Sequence, residues 1–204
     1  MIAIVDYGLG NVNAFSNIYK RLNIPAILAS DTKSLLQADH IILPGVGSFD
    51  WAMHRLEGAG LREVLEEQVL EQKIPVLGVC VGMQMMARSS EEGREPGLGW
   101  IDAEVRRFAF MPENSHLMLP HMGWNEIEPN QSSALMNGLG VGSRFYFLHS
   151  YYLALDKEND VIATADYGGI FTCGFQAGNC YGVQFHPEKS HGWGIKLLKN
   201  FAQI

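Results

Sequence analysis

The sequence predicts an α/β fold: an open, mostly parallel sheet flanked by helices, with an antiparallel extension in the C-terminal half. Three observations predict it. Short aliphatic runs alternate with segments of helical periodicity through the first half. The second half changes to short segments of alternating polar and apolar residues divided by Gly, Pro and Asn. No repeat, low-complexity tract or Pro/Gly/Ser-rich linker interrupts the 204 residues, which are expected to form one unit over residues 1–204.

In order, MIAIVD reads as the first strand, NVNAFSNIYKRL as a helix with its apolar residues on one side, and PAILAS as the second strand. A polar link leads to a third strand, ADHIILPG. Helical stretches over residues 49–56 and 61–72 precede a buried strand, IPVLGV, opened by Pro75. Met83, Met86 and Ala87 then recur at helical spacing. The antiparallel segments are AEVRRFAF, GWNEIEP, RFYFLHSYYLAL, DVIATADY and YGVQFHPE. A last helix over residues 190–202 takes Ser190 as its N-cap.

Hydrophobic residues at 47% and charged residues at 18% describe a soluble globular chain. A net charge of −7 without a basic cluster argues against nucleic acid and against an anionic membrane surface as partners. The N-terminal MIAIVDYG reads as a strand and glycine turn rather than a signal peptide, and no apolar run is long enough to span a bilayer, so a cytoplasmic setting is expected. Cysteines at 80, 173 and 180 form neither a metal-ligand spacing nor an even disulfide set. No metal and no cofactor is expected.

Cys80 sits where the run IPVLGV gives way to a helix, with Gly78 and Gly82 two residues before and after it. This is the pattern of a nucleophile elbow with cysteine in place of serine. Glycines are needed there because a side chain pushed out on a sharp turn brings neighbouring backbone too close for a Cβ. A thiol at a helix N-terminus is favoured as thiolate by the unpaired N–H groups and the dipole. The competing reading is a buried core cysteine, which is how Cys173 and Cys180 are read.

A cysteine nucleophile needs a base, and the base an orienter. Among seven histidines, His186 stands out at the end of the apolar run YGVQF. Pro187 is expected to keep the segment extended and so to place His186 and Glu188 on the same side. A carboxylate there fixes the imidazole tautomer and stabilises the imidazolium.

GVCVGMQ together with the distant GVQFHPE resembles the class I glutamine amidotransferases, which carry a Cys-His-Glu triad on a flavodoxin-like sheet. DYGLGN, LPGVGSFD, SSEEG, PHMGWNE, FYFLHSYY and GVQFHPEKS are similar, more narrowly, to the glutaminase subunits of imidazole glycerol phosphate synthases, from residue 2 to the chain end. The resemblance implies that Cys80 attacks the glutamine side-chain amide to give a thioester, that His186 moves the protons and that Glu188 holds His186. It implies oxyanion donors at Val81 and at Val46 or Gly47 in the PGVG loop. It places Gln84, Glu92 and the backbone of Ser150 and Tyr151 at the substrate glutamine, and Tyr146 and Lys189 at the face of a partner subunit. That partner would be a (βα)8 barrel that consumes the ammonia, forming imidazole glycerol phosphate and an aminoimidazole carboxamide ribotide in histidine biosynthesis. Other readings stay open: a free-standing cysteine hydrolase, a paralogous glutaminase feeding amidination of surface sugars, and a non-catalytic binding module.

Overall fold

A computed structural model describes residues 1–110, 114, 116–130 and 132–204. Strands β1 (Ile2–Val5), β2 (Ala26–Ala29), β3 (His40–Gly45) and β4 (Val76–Cys80) are the aliphatic runs of the first half. With β8 (Glu128–Pro129), β11 (Val161–Asp166), β12 (Ile170–Ala177) and β13 (Cys180–Val183) they form one sheet in the order β2-β1-β3-β4-β13-β12-β11-β8. Neighbours from β2 to β13 pair parallel, and those from β13 to β8 antiparallel. β1, β3, β4 and β13 are buried almost throughout, which is why they read as continuous apolar runs rather than alternating ones. The strand β12 is absent from the segments expected of the sequence.

Helices α1 (Val12–Arg21), α2 (Thr32–Leu35), α3 (Phe49–Gly58), α4 (Arg62–Glu66), α5 (Val81–Met85) and α6 (His191–Phe201) accompany the sheet. Asn11 caps α1, and the Tyr19 hydroxyl on α1 donates to the Leu198 carbonyl on α6 at 3.1 Å. The polar link before β3 holds the short α2, nucleated by a capping box between Asp31 and Ser34. The helix expected over residues 61–72 is α4 followed by a π-turn, Glu67–Glu71, inside which the Asn179 side chain donates to the Val69 carbonyl.

Two smaller sheets complete the fold. β5 (Ser89–Ser90), β6 (Ala103–Arg107) and β10 (Tyr151–Leu155) form one, and β7 (His121–Glu126) and β9 (Arg144–His149) the other. RFYFLHSYYLAL is therefore not one strand: at Ser150 the chain leaves β9 for β10 in a different sheet.

The register places the site. Gly45 at the end of β3 pairs with Cys80 at the end of β4, and Val79 pairs with Val183 at the end of β13. Three adjacent strands thus release, at one edge, the loop after Gly45, the cysteine, and the segment leading to His186. Such carboxyl ends are where open α/β sheets bind ligands.

Candidate active site

Cys80 has φ 55° and ψ −114°, a backbone conformation rarely adopted by a side-chain-bearing residue. The flanking glycines permit it. A Cβ on Gly82 would collide with the Leu43 carbonyl, one on Gly78 with the Met83 backbone, and one on Gly45 with Gly82 N. The helix that follows is a single turn. Its would-be continuation is taken over by the loop 97–101, whose N–H groups bond the carbonyls of Met85, Met86 and Ala87. The contribution of a helix dipole at the sulfur is that of one turn, less than the spacing of Met83, Met86 and Ala87 suggests.

His186 is 2% exposed and its Nδ1 lies 2.9 Å from Glu188 Oε1. The contact forms in a way the proline did not suggest. Pro187–Lys189 is a 3-10 turn rather than extended chain, and the turn brings the carboxylate back beneath the ring. Glu188 Oε2 is buried without a hydrogen-bond partner, so the imidazole is what compensates this carboxylate. Burial pushes the His186 imidazole toward neutrality, but the charge and hydrogen bond of Cys80, followed by those of Glu188, outweigh it and carry its pKa up to about 10. The arrangement is a buried row of cysteine sulfur, imidazole and carboxyl group.

Ser190 does not cap α6 with its side chain. Its hydroxyl donates to the His186 carbonyl at 2.6 Å and accepts from Tyr146 N at 3.0 Å, while His186 N donates to the Tyr146 carbonyl at 2.9 Å. His186 is thereby suspended from β9.

Cys80 and His186 open into a cavity of about 290 Å3 that also meets Val46, Gly47, Val81, Glu92, Ser150, Tyr151 and Lys189. Nine of the residues singled out in the sequence therefore converge on one cleft. Glu188 stands behind His186, and Gln84, 3% exposed, lies beneath the cleft with its amide directed at the Tyr151 carbonyl and at Gln184. Tyr146 sits outside on β9, with the Lys189 ammonium 5.7 Å over its ring. A larger groove, of about 640 Å3 along β7, β8 and β11, contains none of these residues.

A family model described as glutamine amidotransferase class-I matches residues 3–204. The chain belongs to this family. It is 54% identical to the imidazole glycerol phosphate synthase subunit HisH of Bdellovibrio bacteriovorus and 52% identical to that of Leptospira interrogans, in each case over 100% of both chains. It is 44% identical to the subunit HisH 2 of Pseudomonas aeruginosa, again over 100% of both. The fold is that of a crystal structure of a glutamine amidotransferase, with TM-score 0.76 at 19% identity over 100% of this chain and 99% of that one. It is also that of a glutamine amidotransferase from Thermotoga maritima, with TM-score 0.62 at 20% identity over 92% of this chain and 75% of that one.

In this amidotransferase, Glu92 accepts from Phe49 N at 2.8 Å, closing the start of α3 in place of Ser48, whose side chain makes no capping bond. Burial holds its carboxyl above the ordinary range, against the pull of the Phe49 N–H, and nearby Asp50 adds to the rise. Motif reading did not single out four further residues at the site. The Tyr7 hydroxyl donates to the Pro44 carbonyl at 2.6 Å and anchors the strand from which PGVG emerges. Gln184 contacts the cysteine sulfur. His149 lines the cleft and donates from Nδ1 to the Tyr151 carbonyl at 2.8 Å, while its Nε2 faces His121 Nδ1 at 3.0 Å. Since a carbonyl only accepts, His149 Nε2 is the acceptor and His121 the donor. Burial lowers the pKa of His149 to about 3 and that of His121 to about 4, which leaves His186 as the cationic imidazole of the cleft.

Proposed function

We propose that this chain hydrolyses glutamine at Cys80 and delivers the ammonia to a (βα)8-barrel synthase subunit, which forms imidazole glycerol phosphate and an aminoimidazole carboxamide ribotide in histidine biosynthesis. The observation that carries the chemistry is the buried row of Cys80, His186 and Glu188 beside the PGVG loop. The Cys80 thiolate attacks the side-chain carbonyl carbon of glutamine, and the carbonyl π electrons move onto oxygen. Val81 N–H and an N–H from Val46 or Gly47 receive that oxyanion. As the tetrahedral intermediate collapses, the C–N bond breaks and the His186 imidazolium gives its proton to the leaving nitrogen, releasing ammonia. The neutral imidazole then takes a proton from water, whose oxygen attacks the thioester and frees glutamate and the Cys80 sulfur.

Glu92 is an acidic group on the cleft wall with a backbone N–H and, among the described residues, no cation as its close partner, which suits it to the α-ammonium of glutamine. Ser150 and Tyr151 hold the polar end of the substrate through their backbone. Gln84 belongs to the glutamine site from below, through the Tyr151 carbonyl it supports.

The partner reading is supported by the outer face of β7 and β9. Met122 pairs with Leu148 and Trp124 with Tyr146, and Met122, Trp124 and Leu148 are 65%, 40% and 38% exposed. Leu148 and Lys189 connect this apolar face to the cleft. Ammonia that escaped to neutral water would be protonated and lost as a nucleophile, so the acceptor docks there. The 204 residues act as one amidotransferase unit in the cytoplasm. Among the described residues no helix is long and apolar enough to cross a membrane.

The test is glutamine hydrolysis by the chain alone, with the barrel partner, and with the barrel partner plus its nucleotide. Gly47, at φ 88°, gives the PGVG loop a peptide able to present either N–H or C=O to the oxyanion. With the N–H turned away the chain alone is slow, and docking raises the rate by roughly a hundred- to a thousandfold, the worth of one oxyanion donor. Equal rates in all three would refute the coupling.

A further inference from the structure

Gln184 lies one residue past β13, between the strand and the catalytic histidine, and its side chain is wholly buried. Its Nε2 is 3.8 Å from Cys80 Sγ, a length suited to the large sulfur atom. The orientation of the amide is fixed by a chain of partners. The Tyr151 carbonyl only accepts, so the group facing it at 3.2 Å is Gln84 Nε2. The same nitrogen lies 2.9 Å from Gln184, which must therefore present Oε1 to Gln84 and Nε2 to the sulfur. A buried carboxamide is costly unless its donors and acceptors are met, and here the cysteine is one of the partners.

The geometry points to Gln184 as a further catalytic residue: its amide N–H donates to the Cys80 sulfur and holds it as thiolate, with Gln84 as the positioning residue that sets the direction of that N–H. This rests on the reading of Cys80 as nucleophile and deepens it. The sulfur stands between opposed neighbours. The Leu148 carbonyl, 3.9 Å away, accepts the proton of a thiol and repels a thiolate. The Gln184 amide opposes it from within the core, and His186 takes the proton. No bond is made or broken by Gln184; it shifts the proton between Cys80 and His186 toward the pair that starts the reaction.

The experiment uses the full chain and the variants Gln184→Leu, Gln184→Glu, Gln84→Leu and Cys80→Ala, with circular dichroism and thermal melting to establish folding. Two readouts need no partner protein: the thiolate ultraviolet absorbance, taken against Cys80→Ala, and the rate at which iodoacetamide alkylates Cys80 at neutral pH, followed on its peptide by mass spectrometry. Loss of one hydrogen bond to a charged sulfur lowers the thiolate-to-thiol ratio roughly tenfold in Gln184→Leu. Alkylation slows only about three- to fourfold, because a more basic sulfur is also the better nucleophile. Gln184→Glu places a buried carboxyl beside the sulfur, which takes up a proton and can itself donate, so it keeps more thiolate than Gln184→Leu, and Gln84→Leu falls between wild type and Gln184→Leu. Wild-type absorbance and alkylation in Gln184→Leu overturn the assignment, as does a Gln84→Leu chain indistinguishable from wild type. Retention of glutamine hydrolysis by Cys80→Ala would be a different failure, that of Cys80 as nucleophile.

Discussion

Replacing Glu188 by Gln keeps the shape of the side chain and removes the charge that faces His186. The consequence is calculable from the site. His186 titrates near about 10 in the fold against an ordinary 6.5, a rise that reflects stability carried by the imidazolium. The larger part belongs to Cys80, whose charge is the first of the raising causes. The Glu188 contact, 2.9 Å between side chains 3% and 2% exposed, contributes about 2 kcal/mol, as hydrogen bonds to charged groups do. Because the folded pKa lies above the unfolded one, this stability is complete below about pH 6.5 and is lost as the pH rises through about 10. Glu188→Gln should therefore cost about 2 kcal/mol near neutrality and progressively less toward about pH 10. Tyr19 and Cys173, which burial keeps neutral in the fold, also weaken the protein in alkali, but they do so equally in both chains and cancel in the difference. Urea denaturation followed by circular dichroism across this range measures it. A cost that does not change with pH would refute the charge pair. Glutamine hydrolysis should fall as well, though less than in His186→Ala, since an amide still orients the ring.

Cys80→Ala should abolish glutamine hydrolysis and keep the fold, and Cys80→Gly should melt above Cys80→Ala because φ 55° suits glycine; the reverse order of melting would show that the elbow is unstrained. Gly82→Ala should destabilise by more than about 2 kcal/mol in urea denaturation, its methyl being driven into the Leu43 carbonyl, and a cost under about 0.5 kcal/mol would deny the close packing of β3 on the elbow. Glu92→Gln should raise KM for glutamine about tenfold, with a smaller change in kcat; a loss confined to kcat would move Glu92 from substrate binding to the chemical step.

What the sequence revealed was local. The runs that became β1, β3 and β4 are apolar throughout because both faces of the sheet are covered, and the glycines about Cys80 state a backbone requirement that no other residue meets. β12 was hidden because Thr172 and Gln176 interrupt its apolar residues. The short α2 escaped notice because its four residues bury Leu35 alone, too little for a period to show. The length of α5 is decided by the loop 97–101, which claims its last carbonyls from elsewhere in the chain. At the site, Cys80, His186, Glu188 and the PGVG loop are written as contiguous motifs. Gln84 and Gln184 meet across 100 residues of chain, and the tie between Ser190 and Tyr146 spans 44. Gln84, Gln184 and Ser190 lie within the motifs, but the contacts they make join elements that only the tertiary fold brings side by side.

The suspension of His186 from β9 separates two properties that evolution can then vary independently. The strand holds His186 through main-chain groups, Tyr146 N by way of Ser190 and Tyr146 O directly, and any residue but proline at position 146 supplies both. The side chains of Tyr146 and Leu148 belong to the outer face. Exchanging them would redraw the surface proposed for docking and leave the suspension of His186 intact, so on that proposal recognition of a new acceptor protein does not require the cleft around Cys80 to be rebuilt. A deletion or a slipped register in β9 has the opposite character: it displaces the histidine whatever the surface looks like.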